Sequence, residues 1–322
     1  MTSLSRSAPP RSQQGAQGRT TKRAGDRWFS ASAVFAGSMI LVTLAAVAVF
    51  LVVQSIPGML ATPEEATILK DGFWSYVGVL AFGTVWAAAL ALIMAVPLSI
   101  AVALFISHYA PRRLAGSLGY LVDLLAAVPS VVFGLWGIGV LAPAVQPAYS
   151  WLVENAGWFP LFAGPVSGTG RTIFTAAVVL AVMVLPIMTA ICREIFLQAP
   201  SLHEEAALAL GATRWEMIRM AVLPFARGGI VSAAMLGLGR ALGETMAVAM
   251  VLSASGGITF RLFTAENPNT IPANIAQTFP EAHGLNINVL IATGLILFIV
   301  TFAVNALARW VVNRRKEFSG AN

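Results

Sequence analysis

The chain has 322 residues, of which 57% are hydrophobic and only 11% charged, and its mean hydropathy is +0.79. A soluble domain carries about 25% charged residues; no water-facing surface could hide this much apolar side chain, so the solvent is lipid. The net charge of +6 would suit nucleic acid, but the placement of the basic residues argues otherwise, and the single cysteine, Cys192, excludes an intrachain disulfide or a thiolate metal cluster.

Residues 1–26 form a basic tail rich in Ser, Gln and Arg, a composition that predicts disorder. The remainder, 27–322, reads as one membrane domain. Six stretches are long and apolar enough to cross a bilayer, at about residues 33–55, 78–106, 119–142, 172–192, 228–254 and 289–312. No small-residue cleavage site follows the first, which therefore reads as an uncleaved anchor. The expected fold class is all-α, a polytopic integral membrane protein of six transmembrane helices.

The basic residues orient it. Arg6, Arg11, Arg19, Lys22, Arg23 and Arg27 precede the first stretch, and Arg112 and Arg113 follow the second. Arg193, Arg214, Arg219 and Arg227 lie between the fourth and the fifth, and Arg309, Arg314, Arg315 and Lys316 close the chain. The other side holds only Lys70, Arg171 and Arg261. By the positive-inside rule both termini and the loop between the fourth and fifth stretches are cytoplasmic, and an even number of spans agrees, since it puts the termini on one side. Topology thus accounts for the positive charge and leaves membrane lipid, not nucleic acid, as the surroundings. The outer segments fall at about 56–77, 143–171 and 255–288, and Trp151, Trp158 and Phe159 in the middle one suit the headgroup layer.

Pro97, Pro129 and Pro186 fall at mid-depth in the second, third and fourth stretches. Each removes a helix N–H and bends its helix, and bent helices packed together leave a cavity suited to a transport path; simple packing is the alternative. Asp123 stands near the cytoplasmic end of the third stretch, free to pair with a basic residue or face water.

A cytoplasmic loop over 199–224 follows. Ser201 with Glu204, and Thr213 with Glu216, are spaced as capping boxes, each starting a helix. Gly211 is placed to end the first helix in the left-handed conformation, and Pro224 to end the second. The expectation is two short helices joined by a tight turn, a rigid knob that another protein can grip.

The fifth stretch contains Gly239-Arg240-Ala241-Leu242-Gly243-Glu244-Thr245. Arg240 falls near the membrane centre, with Glu244 one turn further along on the same helix face. A charge at that depth costs several kcal/mol unless paired or wetted. Gly239 and Gly243 form a small-residue unit for close helix contact. Two roles stay open for Arg240 and Glu244: the guanidinium meets a passing oxyanion on a translocation path, or the two side chains neutralise each other and lock helices together.

Glu205-Ala206-Ala207, Gly211 and Leu223-Pro224 stand at the spacing of the EAA coupling loop, which this segment resembles, in permease subunits of ATP-binding-cassette importers. One departure is Ala221, where the family often has Ile. The span-five run, and Ala127-Val128-Pro129-Ser130-Val131-Val132-Phe133-Gly134-Leu135-Trp136-Gly137, resemble segments of phosphate-specific transport (Pst) permeases, and Ser107-His108-Tyr109-Ala110-Pro111 looks most like the PstC type. The resemblance covers the chain from about Asp26 onward. It implies a MetI-like permease fold in a bacterial cytoplasmic membrane, importing inorganic phosphate by alternating access. The partners it implies are a PstA-like permease, a PstB-like ATPase dimer that binds ATP and Mg, and a PstS-like phosphate-binding protein outside. Glu205, Ala206, Ala207, Gly211, Leu223 and Pro224 then couple the chain to the ATPase.

The chain has no Gly-x-x-x-x-Gly-Lys-Ser/Thr loop, no His-Glu-x-x-His and no Gly-x-Ser-x-Gly, and His108, His203 and His283 are scattered. No catalytic residue, metal site or cofactor is expected in it. The neighbouring readings are a PstA-like sister subunit or a permease for sulfate or molybdate, since one arginine reads charge and not element. A stand-alone channel would not need the coupling loop, and a membrane enzyme would need a polar catalytic cluster.

Overall fold

The computed structural model describes residues 24–317; the tail expected to be disordered lies outside the described residues up to position 23. Two compact units divide the chain after Phe50. The first holds most of helix α1 (Ala24–Leu60), whose Val34, Phe35, Leu41, Val42 and Val49 are exposed, as on a helix surrounded by lipid.

In the second unit, α2 (Phe73–Leu104) continues through Pro97 and ends in a π turn, Phe105–Tyr109. Next comes α3 (Arg112–Ala126), which exposes Tyr120, Leu121 and Leu124. The third apolar crossing starts only at α4 (Ser130–Trp136) and passes through a π turn, Gly137–Leu141, into α5 (Ala142–Ala156). The stretch expected over 119–142 is therefore moved along the chain. Pro129 is extended (φ −60°, ψ 140°) and caps α4 instead of kinking a helix at mid-depth, because the residue before a proline resists the α conformation. Asp123 is exposed on α3, outside the crossing.

Then follow α6 (Ile173–Leu197), with Pro186 inside it as expected, α7 (Ser201–Ala209) and α8 (Arg214–Met217). A third π turn, Ile218–Val222, leads into α9 (Leu223–Gly243). After α10 (Met246–Val251) and α11 (Ile271–Thr278), α12 (Leu285–Glu317) is the last crossing helix. Among the described residues there is no β-strand, only two isolated β-bridges, Val166 with Thr264 and Ala254 with Asn267.

Each π turn ends two residues before a proline: Pro111, Pro143 and Pro224. In each, the residue just before the proline donates five residues back, as Ala110 does to Phe105 at 2.8 Å. The widened turn relieves the clash between a proline ring and the carbonyl four residues earlier. That is why Pro224 does not end the second coupling helix: residues 214–243 form one helical run.

The core lies between α2, α6 and α9. Ala87, Ala88, Ala91 and Ala95 give α2 a face of small side chains, onto which Val179, Leu180, Met183 and Val184 of α6 pack. On α9, a Cβ added at Gly237 would lie 2.7 Å from Met188 Sδ and 2.8 Å from Val184 Cγ1. Gly239 and Gly243 do not make the expected close contact, for a Cβ at either would meet nothing of this chain within 4 Å.

Candidate functional site

The coupling loop comes from local signals. At the end of α7, Gly211 has φ +87°, the Ala212 N–H donates to the Ala207 carbonyl at 3.2 Å, and the Gly211 N–H to that of Leu208 at 3.0 Å. This is the paired-bond ending that a left-handed glycine permits. Thr213 then starts α8 with a complete capping box: its hydroxyl accepts from the Glu216 N–H at 3.3 Å, and the Glu216 carboxylate accepts from the Thr213 N–H at 2.8 Å. The expected box at Ser201 is absent. Pro200 occupies the cap position, Ser201 is already helical, and Glu204 turns toward His108.

The Glu-Ala-Ala triplet divides between two faces. Glu205 and Ala206 are exposed, whereas Ala207 is buried with Ala103, Leu104, Met217 and Val222. Leu223 packs against that cluster and Pro224 is exposed. Between α7 and the third π turn lies a groove of about 440 Å³, lined by His203, Ala206, Leu210, Met220, Ala221 and Phe225. Leu210 is 89% exposed at its edge, an apolar tip turned to the outside. The departure at Ala221 keeps the groove open, since a larger side chain there would fill part of it.

The charged pair is arranged differently from the sequence expectation. The helix stops between its two members: α9 ends at Gly243, and Glu244 is extended (φ −69°, ψ 127°). Its Oε1 accepts from the Ala247 N–H at 3.1 Å, in the first turn of α10. The two residues therefore do not share a helix face. Arg240, in the last turn of α9, has no ion-pair partner among the described residues, and its Nε is buried without a hydrogen bond. The mutual neutralisation considered above is not the arrangement found. The α9 carbonyl end favours a cation in that turn, but Nε has no acceptor among the described residues.

Residues with no local signal hold the interruption in place. Arg171, read above only as an outer charge, caps the end of α10, with Nη2 3.0 Å from the Met250 carbonyl and Nε 3.3 Å from that of Val251. Asn267 is fully buried; its Nδ2 donates to the Arg171 and Ser253 carbonyls at 3.3 and 3.1 Å, and its Oδ1 accepts from the Ile173 N–H at 2.9 Å. Gln277 of α11 donates to the Ala249 carbonyl at 3.0 Å, and Thr84 of α2 accepts from the Ile271 N–H at 2.9 Å. A helix broken between an arginine and a capping glutamate, and stapled from behind, is the kind of element that transporters place beside a substrate path.

Residues 95–317 match the family model described as "Binding-protein-dependent transport system inner membrane component". The chain is 47% identical over 298 residues to the phosphate transport system permease protein PstC 2 of Mycobacterium tuberculosis, covering 89% of this chain and 91% of that protein. It is 40% identical over 308 residues to the PstC permease protein of Mesorhizobium japonicum, covering 92% of each. The chain belongs to this family of inner-membrane transport components. As such a component it is a multi-pass membrane protein of a transport system, not an enzyme. A chain of a bacterial ABC transporter that imports the acidic polysaccharide alginate superimposes with a TM-score of 0.61 at 17% identity, covering 90% of this chain and 96% of that one. The inner-membrane component therefore has the all-α fold of an ABC importer permease.

Proposed function

We propose that the chain is a PstC-type permease subunit that carries inorganic phosphate across the bacterial cytoplasmic membrane by alternating access, both termini being cytoplasmic. A PstA-like subunit completes the pathway. A PstB-like ATPase dimer, which binds ATP and Mg, grips the α7–α8 knob through Glu205, Ala206 and the groove beside Leu210. A PstS-like protein delivers phosphate at the opposite face. Closure of the ATPase dimer displaces the knob, and the crossing helices reopen outward.

The observation that carries the phosphate reading is Arg240 Nε, buried without a hydrogen-bond partner at a helix interruption while Glu244 is engaged elsewhere. A planar fork of N–H donors suits two oxygens of an oxyanion. With no ion-pair partner among the described residues, Arg240 is left for a transient ligand. The names of the relatives support phosphate over other oxyanions.

The test is uptake in cells lacking the chain and complemented with variants, with sulfate as control. Arg240→Gln is expected to lower phosphate uptake by about 10- to 150-fold, the loss of one charge-assisted contact of about 1.5–3 kcal/mol, with the complex intact and sulfate uptake unchanged. Arg240→Gln with Glu244→Gln is expected to remain as low as the single variant; robust uptake by that double variant would sink the anion-contact reading.

A further inference from the structure

The run Ser107-His108-Tyr109-Ala110-Pro111 belongs neither to the interrupted helix nor to the exposed groove. Ser107 Oγ donates to the Ala103 carbonyl at 2.8 Å, which uses its one hydrogen. Its Oγ also lies 2.7 Å from His108 Nδ1, a contact that holds the ring in place. The other ring nitrogen, Nε2, then faces α7 and lies 3.6 Å from Glu204 Oε1. The His108 side chain is 9% exposed and that of Glu204 24%, so water screens the pair less than it would on an open surface.

The pair bridges α7 and the turn that ends α2, beside an apolar cluster that includes Ala207, Ala103 and Leu104. Adjacent carboxylates on α7 are thus divided. Glu205 is exposed, and Glu204 faces the π turn that ends α2. From that end α2 runs back roughly 30 Å to Thr84. Thr84 holds the start of α11, and α11 holds α10 through Gln277. One helix therefore connects the coupling loop to the staples behind the interruption next to Arg240.

We infer that the His108–Glu204 contact is the strut through which displacement of α7 is delivered to α2. Both are positioning residues for coupling, and the inference rests on the reading of α7 as the element the ATPase grips. The test uses the complete importer in proteoliposomes and reads phosphate delivered per ATP hydrolysed. His108→Gln and Glu204→Gln are each expected to lower that ratio at least about fivefold, with the complex assembled. The double Gln variant is expected to be no worse than the poorer single one. The exchanged pair, His108→Glu with Glu204→Lys, is expected to regain most of the ratio. A purely structural role would reduce assembly and turnover together and leave the ratio alone.

An unchanged ratio in both single variants, or losses that multiply in the double, overturns the strut. If a single variant fails to assemble, the exchanged pair decides: assembly with a near-normal ratio supports the strut, and assembly with a fivefold lower ratio overturns it. Gly211→Val run in parallel separates the two levels of the argument. If it leaves the ratio intact, the coupling reading falls and the strut with it. If it uncouples while the His108 and Glu204 variants do not, the strut alone falls.

Discussion

Replacing Gly211 isolates backbone shape from side-chain contact. Its φ is +87°, and a Cβ added there would meet nothing within 4 Å. The cost of a side chain thus comes from the left-handed conformation alone, roughly 1–2 kcal/mol for Ala and more for a β-branched residue. The chain can escape the strain only by giving up the Ala212-to-Ala207 and Gly211-to-Leu208 bonds, each worth about 0.5–1.5 kcal/mol. Either course redirects α8 relative to α7, since Thr213 starts α8 two residues later. The turn is exposed and far in sequence from the α2–α6 core, so insertion and packing should survive. The assay is the initial rate of phosphate uptake and ATPase co-purification, both normalised to the amount of chain in the membrane. Gly211→Asn should stay near wild type, because Asn tolerates the left-handed region. Gly211→Ala should lose about 5- to 30-fold by the strain energy above, and Gly211→Val more. Normal uptake by the Val variant at normal abundance would refute the coupling role, and an Asn variant as poor as Val would show that the backbone is not the cause.

Three further outcomes are expected. A reporter active only outside the cytoplasm should work when fused near Gly157 or Asn269 and fail near Gly211; the reverse pattern would overturn the charge-based orientation. Gly237→Val should push α9 off Met188 and Val184, costing about 1–3 kcal/mol and lowering the melting temperature of the purified chain, whereas Gly239→Ala, which meets nothing in this chain, should leave it unchanged. Glu244→Ala should lose the bond to the Ala247 N–H and about 1 kcal/mol of helix stability, while Glu244→Gln keeps an acceptor there; equal melting temperatures for the two variants would contradict the cap.

What the sequence discloses here is what one turn of chain can encode. Gly211 and the Thr213–Glu216 box were legible because each is satisfied by atoms within five residues. Ser201 with Glu204 has the same spacing and failed, because Pro200 moved the helix start by one residue and because His108, 96 positions earlier, offered Glu204 another partner. Pro129 misled for a related reason: in a run apolar on both sides, a proline that begins a helix and one that bends it look alike. Pro224 misled in the opposite sense, as the π turn before it absorbed the strain.

The arginine and glutamate of the fifth stretch carry the most consequence. Four residues apart in a continuous helix they would be neighbours, and mutual neutralisation would be a natural reading. The break after Gly243 separates them, and its supports come from Thr84, Arg171, Asn267 and Gln277, none of them close in sequence to the pair. No local pattern could have announced it. The consequence is chemical: once Glu244 turns to cap α10, Arg240 keeps a buried N–H with nothing to receive it. A buried unsatisfied donor costs about 1–3 kcal/mol, and a fold that retains one on a charged group invites a ligand that relieves it. On the proposed reading an oxyanion passing the end of α9 supplies that acceptor, and the relief lasts only while the anion is there.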